Sequence, residues 1–238
     1  MLNANKIAGL IDHSILHPTM TDDDLKAHCA IADEYGVATV CVKPYHVAMA
    51  ADLLALSAVK ICAVIGFPHG NNTIAMKVAE TEEVISNGAQ EVDMVVNAGK
   101  VLQHDWAYVK NEIESINKAC VDRGAILKVI FETDFITDEL LKIKLCNICS
   151  EAGVAFVKTS TGFGFVKQAS GDYNYKGATL EDIRLLRQHC YPKVQIKASG
   201  GIRDLDTLIQ LYEAGATRIG TSSTVQLVGE ARLRFPEH

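Results

Sequence analysis

The sequence predicts a (β/α)8 barrel, and three observations lead to this fold class. Eight short apolar segments, each of strand length, alternate with amphipathic helical segments along the 238 residues. The apolar segments are rich in valine and isoleucine without a polar residue at every second position, which is typical of parallel strands buried on both faces. Four helical segments end in a glycine and run directly into an apolar segment, at Gly36, Gly88, Gly153 and Gly215.

The predicted strands follow one another in chain order at residues 7–12, 39–43, 61–67, 91–97, 127–133, 156–160, 194–199 and 218–222. Helix starts are predicted at Thr21, Thr137 and Thr179, because each hydroxyl is followed by acidic residues that complement the helix dipole. An open, doubly wound sheet is the alternative, but no G-x-G-x-x-G turn follows the first strand. No linker divides the chain, so we expect one domain over residues 1–238.

The composition excludes several classes of protein. With 48% hydrophobic and 22% charged residues and a net charge of -6, binding to nucleic acid by bulk charge is not expected. No apolar run reaches the roughly 18 residues of a membrane span, and the first residues do not resemble a signal peptide, which favours the cytoplasm. The seven cysteines are therefore expected to be reduced. Cys146 and Cys149 have C-x-x-C spacing inside a predicted helix, which favours core packing over redox chemistry.

Two lysines inside apolar strands are the strongest functional signal. Lys158 and Lys197 lie on consecutive predicted strands, and lysine is rarely buried without a partner. Each could be a structural ion pair with Asp93 or Glu132. Alternatively, each ammonium group lowers the pKa of the other, so that one becomes a nucleophilic amine that forms a Schiff base with a carbonyl. Asp93 would then carry protons.

A second cluster of residues predicts an anion site. Gly200 and Gly201 follow the seventh strand, while Gly220, Ser222 and Ser223 end the eighth. In many barrels these two loops bind a phosphate group through backbone N–H groups. No H-E-x-x-H motif or cysteine–histidine cluster is present, so neither a metal nor a cofactor is expected.

Seven segments together resemble the class I deoxyribose-phosphate aldolase family over nearly the whole chain. They are IDHSIL, VCVKPYHV, CAVIGFPHG, GAQEVDMVVNAG, FVKTSTGF, IKASGGIR and EAGATRIGTSS. The resemblance implies a (β/α)8 enzyme that reversibly cleaves 2-deoxy-D-ribose 5-phosphate to acetaldehyde and D-glyceraldehyde 3-phosphate. Its partners would be these small phosphorylated sugars and aldehydes, and a homo-oligomer is compatible with the sequence.

The resemblance also implies roles for individual residues. Lys158 would form the Schiff base, Lys197 would perturb it, and Asp93 would relay protons. Asp12 and Cys41 would lie near the reacting centre. The phosphate would be held by Gly200, Gly201, Gly220, Ser222 and Ser223.

The sequence departs from the family pattern at four places. His17 replaces a lysine, and Lys43 replaces the asparagine of the usual C-V-N-P segment at a strand end. The loop at residues 164–175 is longer than usual, and the sequence ends in RFPEH where some members carry a proton-transferring tyrosine. The long loop keeps open a related Schiff-base aldolase that acts on another sugar phosphate or on a non-phosphorylated aldehyde. A catalytically inactive phosphate-binding protein is a third alternative, which the set of Lys158, Lys197 and Asp93 disfavours.

Overall fold

The computed structural model describes residues 2–236, so the last two residues of the RFPEH end lie outside it. Eight parallel strands close into a barrel with the order β1-β10-β9-β6-β5-β4-β3-β2, which confirms the predicted (β/α)8 fold and excludes the open sheet. The barrel strands are β1 Ile11–Ile15, β2 Thr39–Val42, β3 Lys60–Ile65, β4 Glu91–Val95, β5 Ile126–Ile130, β6 Phe156–Lys158, β9 Gln195–Ser199 and β10 Arg218–Thr221. Two further strands, β7 Val166–Lys167 and β8 Tyr173–Asn174, pair as a separate hairpin.

Helices surround the barrel and bury their apolar faces against it. They are α1 Ala4–Ala8, α2 Asp22–Tyr35, α3 Val47–Leu53, α4 Ile74–Ser86, α5 Ala98–Leu102, α6 Trp106–Val121, α7 Glu139–Ala152, α8 Leu180–His189, α9 Leu205–Glu213 and α10 Thr224–Arg234. Thr21 and Thr179 cap α2 and α8 as predicted. The cap of α7 is Asp138 and not Thr137, since the Asp138 carboxylate accepts a hydrogen bond from Leu140 N at 2.8 Å.

The predicted first strand at residues 7–12 is wrong at its start. Asn3 accepts a hydrogen bond from Lys6 N at 2.8 Å and begins a short helix, and the strand starts only at Ile11. The helix buries Ala4, Ile7 and Ala8, which have helical spacing. In the sequence, a short apolar run of this kind is compatible with either a helix or a strand. Several other strands end two or three residues before their predicted ends, because the chain turns outwards at the barrel mouth.

All seven cysteines are free and buried. Cys146 and Cys149 lie in the middle of α7 within the main hydrophobic core, which confirms the prediction of core packing. Among residues 2–236, no helix has the length and apolar character needed to cross a membrane.

A buried histidine makes the fold sensitive to acid. His13 Nδ1 lies 2.7 Å from Thr224 Oγ1, and His13 Nε2 lies 2.7 Å from His28 Nδ1. Burial, and then the proximity of His28, lower the pKa of His13 from 6.5 to about 4.

We expect the free energy of unfolding to fall as the pH drops from 6.5 to 4. The folded state binds fewer protons than the unfolded state in this window, which corresponds to a loss of about 3 kcal/mol from His13. Chemical denaturation across the window measures the slope. His13→Gln should flatten it, and an unchanged slope in that variant would contradict the assignment.

Candidate active site

One carboxylate inside the barrel is shared by three lysines. Asp93 Oδ2 lies 2.8 Å from Lys158 Nζ and 2.8 Å from Lys197 Nζ, while Asp93 Oδ1 lies 2.8 Å from Lys128 Nζ. All four side chains are at most 2% exposed. The structure therefore brings together the three residues that the sequence singled out, and it pairs Lys158 with Asp93 and not with Glu132.

The register of the strands explains this proximity. Lys158 and Lys197 are direct partners across β6 and β9, and Asp93 and Lys128 are direct partners across β4 and β5. Partner residues on neighbouring strands point to the same face of a sheet. In a closed barrel that face is the interior, so all four side chains converge there.

Lys128 is a member of this cluster that the sequence reasoning missed. It lies in the segment ILKVI of β5 and also contacts Glu91 at 2.7 Å and Cys62 Sγ at 3.1 Å. The signal was present in the sequence, because Lys128 is a lysine inside an apolar strand like Lys158 and Lys197.

Further charges complete the network below Asp93. Asp12, expected near the reacting centre, contacts Lys197 and lies 2.5 Å from Arg218 Nη1, which also lies 2.9 Å from Glu91. Three carboxylates thus face four cations, including those around Asp93. Such a buried network is tolerated only when every charge is paired, and removing one partner leaves another unpaired.

The network keeps Asp93 and Lys197 charged. Burial would raise the pKa of Asp93, but the ammonium groups of Lys128, Lys158 and Lys197 outweigh it and hold that pKa well below 3.8. Burial would likewise lower the pKa of Lys197, but the carboxylates of Asp12 and Asp93 raise it above 10.5. Lys197 is therefore a permanent positive charge beside the oxygen that Lys158 also contacts.

A cavity of about 670 Å³ opens at the C-terminal ends of the strands. It is lined by four of the five residues predicted to bind phosphate, namely Gly200, Gly201, Gly220 and Ser222. The fifth, Ser223, is placed differently. It is the N-cap residue of α10, and its backbone N–H donates to Thr221 Oγ1 at 3.0 Å.

The backbone of this cavity wall requires glycine. Gly200 and Gly201 have φ values of 98° and 77°, which side chains rarely adopt. A Cβ atom at Gly220 would lie 2.7 Å from Ser199 Oγ. The cavity wall at these three positions is therefore formed by main chain without side chains.

Arg203 is a second residue that the sequence reasoning left out. It follows the glycine pair in the segment SGGIR and lines the same cavity. Within residues 2–236, no hydrogen bond or ion pair engages its guanidinium group. An unpaired cation in the wall of a cavity favours an anionic ligand.

Cys41, which the sequence placed near the reacting centre, lies on β2 with its Sγ 4.0 Å from Asp93 Oδ2. Potential metal ligands also come close together here. The groups Cys41–Cys62–Asp93 and Asp12–Cys62–Glu91 each have ligand atoms within 4.8 Å of one another. In both groups, however, carboxylates are already held by Lys128, whose positive charge opposes a cation.

A buried glutamate shapes the wall next to Lys158. Glu132 lies just beyond β5 with a φ of 56°, and its carboxylate accepts hydrogen bonds from Thr161 N and Oγ1. Burial raises the pKa of Glu132 to about 7. The chain after β6 is therefore held by a strained residue, a feature that clusters at functional sites.

Comparisons with known proteins agree with this geometry. Residues 6–226 match the model of the DeoC/LacD family of aldolases. The deoxyribose-phosphate aldolase of Rhodopirellula baltica is 46% identical over 229 residues, which cover 96% of this chain and 90% of that protein.

Solved structures give the same result. An aldolase named QR15 superimposes with a TM-score of 0.87 at 38% identity, over 100% of both chains. The deoxyribose phosphate aldolase of Aeropyrum pernix, described as tetrameric, has a TM-score of 0.84 at 30% identity over 95% of this chain and 91% of that one. The chain therefore belongs to the DeoC/LacD aldolase family.

Proposed function

We propose that the protein reversibly cleaves 2-deoxy-D-ribose 5-phosphate to acetaldehyde and D-glyceraldehyde 3-phosphate through a Schiff base on Lys158. The observation that carries the proposal is the shared carboxylate oxygen, since Asp93 Oδ2 contacts both Lys158 and Lys197 at 2.8 Å. The names of the relatives support the substrate, and the unpaired Arg203 supports a phosphorylated one.

The first chemical step is the addition of the Lys158 amine to the aldehyde carbon of the open-chain sugar. The amine must first lose its proton, because only the free lone pair on nitrogen can attack the carbonyl carbon. Asp93 Oδ2 lies within hydrogen-bond distance of both lysines and relays the proton. Loss of water from the adduct then gives the protonated Schiff base.

The second step breaks the bond between carbons 2 and 3 of the sugar. As the hydroxyl group on carbon 3 gives up its proton, the electron pair of that bond moves towards the protonated Schiff base, and carbon 3 leaves as the aldehyde of glyceraldehyde 3-phosphate. The enamine that remains on Lys158 takes up a proton at carbon 2, and hydrolysis releases acetaldehyde. The protonated nitrogen accepts the electrons, so none of these residues changes its oxidation state.

The phosphate end of the substrate would lie against the cavity wall. Backbone N–H groups of Gly200 and Gly201, the hydroxyl of Ser222 and the guanidinium of Arg203 supply hydrogen bonds and positive charge there. This arrangement favours a sugar phosphate over a non-phosphorylated aldehyde. The paired lysines on Asp93 likewise disfavour an inactive phosphate-binding protein.

We also propose that residues 1–238 act as one domain in the cytoplasm and assemble into a homo-oligomer. The seven buried free cysteines support a reducing compartment. The closed barrel extends from β1 to β10 and leaves no strand for a second sheet beyond the β7–β8 hairpin in the described part of the chain. The tetrameric relative from Aeropyrum pernix supports assembly.

Borohydride reduction in the presence of acetaldehyde tests the covalent step. We expect an N-ethyl-lysine at Lys158, found by peptide mass mapping, because reduction traps the Schiff base. Lys158→Met should abolish both the adduct and turnover, and turnover of the unmodified protein should survive a chelator. An adduct on another lysine, or none, would refute Lys158 as the nucleophile.

Comparison of 2-deoxy-D-ribose 5-phosphate with 2-deoxy-D-ribose tests the anion site. We expect kcat/KM to favour the phosphate ester by about 10²-fold or more, since charge-assisted hydrogen bonds contribute about 1.5–3 kcal/mol each. Arg203→Met should lower this ratio. The matched control is Arg184→Met, which removes an exposed arginine of α8. Equal effects of the two variants would contradict the assignment of Arg203.

Removal of Lys128 tests how much the reaction depends on the pairing of Asp93 Oδ1. Lys128→Met removes the strongest opposing charge, so the pKa of Asp93 should rise. We expect kcat to fall by about 10²-fold, the range of acid–base contributions, with a shift of the acidic limb of its pH profile to higher pH.

A second buried lysine provides the control for that variant. Lys77 in α4 is fully buried and pairs with Glu112 at 2.7 Å, away from Asp93. Lys77→Met should lower stability, by about 3–5 kcal/mol for a broken buried ion pair, without moving the pH profile of the folded protein. The same profile change in both variants would show that Lys128 has only a structural role.

A further inference from the structure

A short antiparallel hairpin stands at the rim of the cavity. Its strands β7 and β8 pair Val166 with Asn174 and Lys167 with Tyr173, and they do not join the barrel. Two-stranded hairpins of this size are marginally stable alone. The position of the hairpin must therefore depend on contacts at its base.

The base of the hairpin is fixed to the glycine-rich wall. The Asp134 carboxylate, beyond β5, accepts hydrogen bonds from Lys176 N at 2.6 Å and Gly177 N at 3.1 Å. Ala178 N donates to Gly200 O at 3.1 Å. A Cβ atom at Gly177 would lie 2.3 Å from Gly200 O, so the two backbones touch directly. The hairpin is consequently held in a fixed position relative to the glycine-rich wall.

The hairpin holds two aromatic rings against the cavity. Phe165 precedes β7 and Tyr175 follows β8, and their ring centroids lie 5.4 Å apart in an edge-to-face arrangement. Both residues line the same cavity as Gly200, Gly201 and Arg203. Phe165 remains 48% exposed, so an apolar ring faces water in a cavity that Arg203 also lines.

We propose that the pair Phe165–Tyr175 encloses the phosphate end of the cavity and thereby selects substrates that carry a terminal phosphomonoester. The proposal rests on the proposed aldolase function. With a phosphate bound, the rings exclude water from one side of it, and attraction between opposite charges grows as water is removed. A substrate without the phosphate has no charge for Arg203 to attract, so the exclusion of water by the rings does not strengthen its binding.

The rings, and not the tyrosine hydroxyl, are the expected determinant. The variants are therefore Tyr175→Ala, Tyr175→Phe and the double variant F165A/Y175A. The matched control is Tyr173→Ala, which removes a 65% exposed tyrosine from the same hairpin that does not line this cavity. Thermal unfolding of each variant verifies that it is folded.

The measurement is the ratio of kcat/KM for 2-deoxy-D-ribose 5-phosphate to kcat/KM for 2-deoxy-D-ribose. We expect Tyr175→Ala to lower it about fivefold to tenfold, the factor for losing an interaction of the size of an aromatic pair. The double variant should lower it further, whereas Tyr175→Phe and Tyr173→Ala should keep it. An unchanged ratio in Tyr175→Ala, an equal loss in Tyr173→Ala, or a full loss in Tyr175→Phe would overturn the proposal.

Deuterium exchange into acetaldehyde, which needs Lys158 but no phosphate, separates this proposal from the aldolase function. Exchange should proceed at the unmodified rate in Tyr175→Ala. Wild-type protein that neither exchanges acetaldehyde nor cleaves the sugar would refute the aldolase function itself. Wild-type protein that does both, with selectivity unaffected by the aromatic variants, would refute only the role of the hairpin.

Discussion

The two oxygens of the Asp93 carboxylate have different partners, and the arrangement of the rest of the site depends on this difference. Oδ1 is held by Lys128 and by the thiol of Cys62 at 3.2 Å, which fixes the orientation of the group. Oδ2 is left to Lys158, the proposed nucleophile, and to Lys197, which stays positively charged beside it. A carboxylate with only two ammonium partners could rotate between them, whereas one that is held on its other oxygen presents a fixed acceptor.

The barrel is what makes such a concentration of charge tolerable. Each ammonium group loses its hydration on burial, and only opposite charges at hydrogen-bond distance compensate for that loss. The interior of a closed parallel barrel collects side chains from all its strands, so Asp12, Glu91 and Arg218 can complete the pairing below Asp93. The same pairing keeps Lys197 protonated beside the oxygen that Lys158 also contacts.

Sequence reasoning succeeded where a single residue violates a strong rule. Lys158 and Lys197 could be identified because burying a charged side chain in an apolar strand costs free energy unless the charge is paired. The strands could be identified from their composition. The short helix α1 was missed because Ile7 and Ala8 continue into Leu10 and Ile11 as one short apolar run, and such a run can form either a strand or a helix. Which oxygen of Asp93 each lysine contacts depends on register, and register is a property of paired strands that one strand alone does not encode.

The loop that follows Lys158 was recognised from sequence only as unusually long, and the reason is physical. Its hairpin owes its position to Asp134, which lies far earlier in the chain, and to backbone contact with Gly200, which lies beyond it. Neither contact leaves a periodic signal. The site therefore has two layers of different origin. The floor around Asp93 is set by strand register, so a change there alters the chemistry. The rim around Tyr175 is set by contacts between loops, so it can change in shape and selectivity while the floor stays intact.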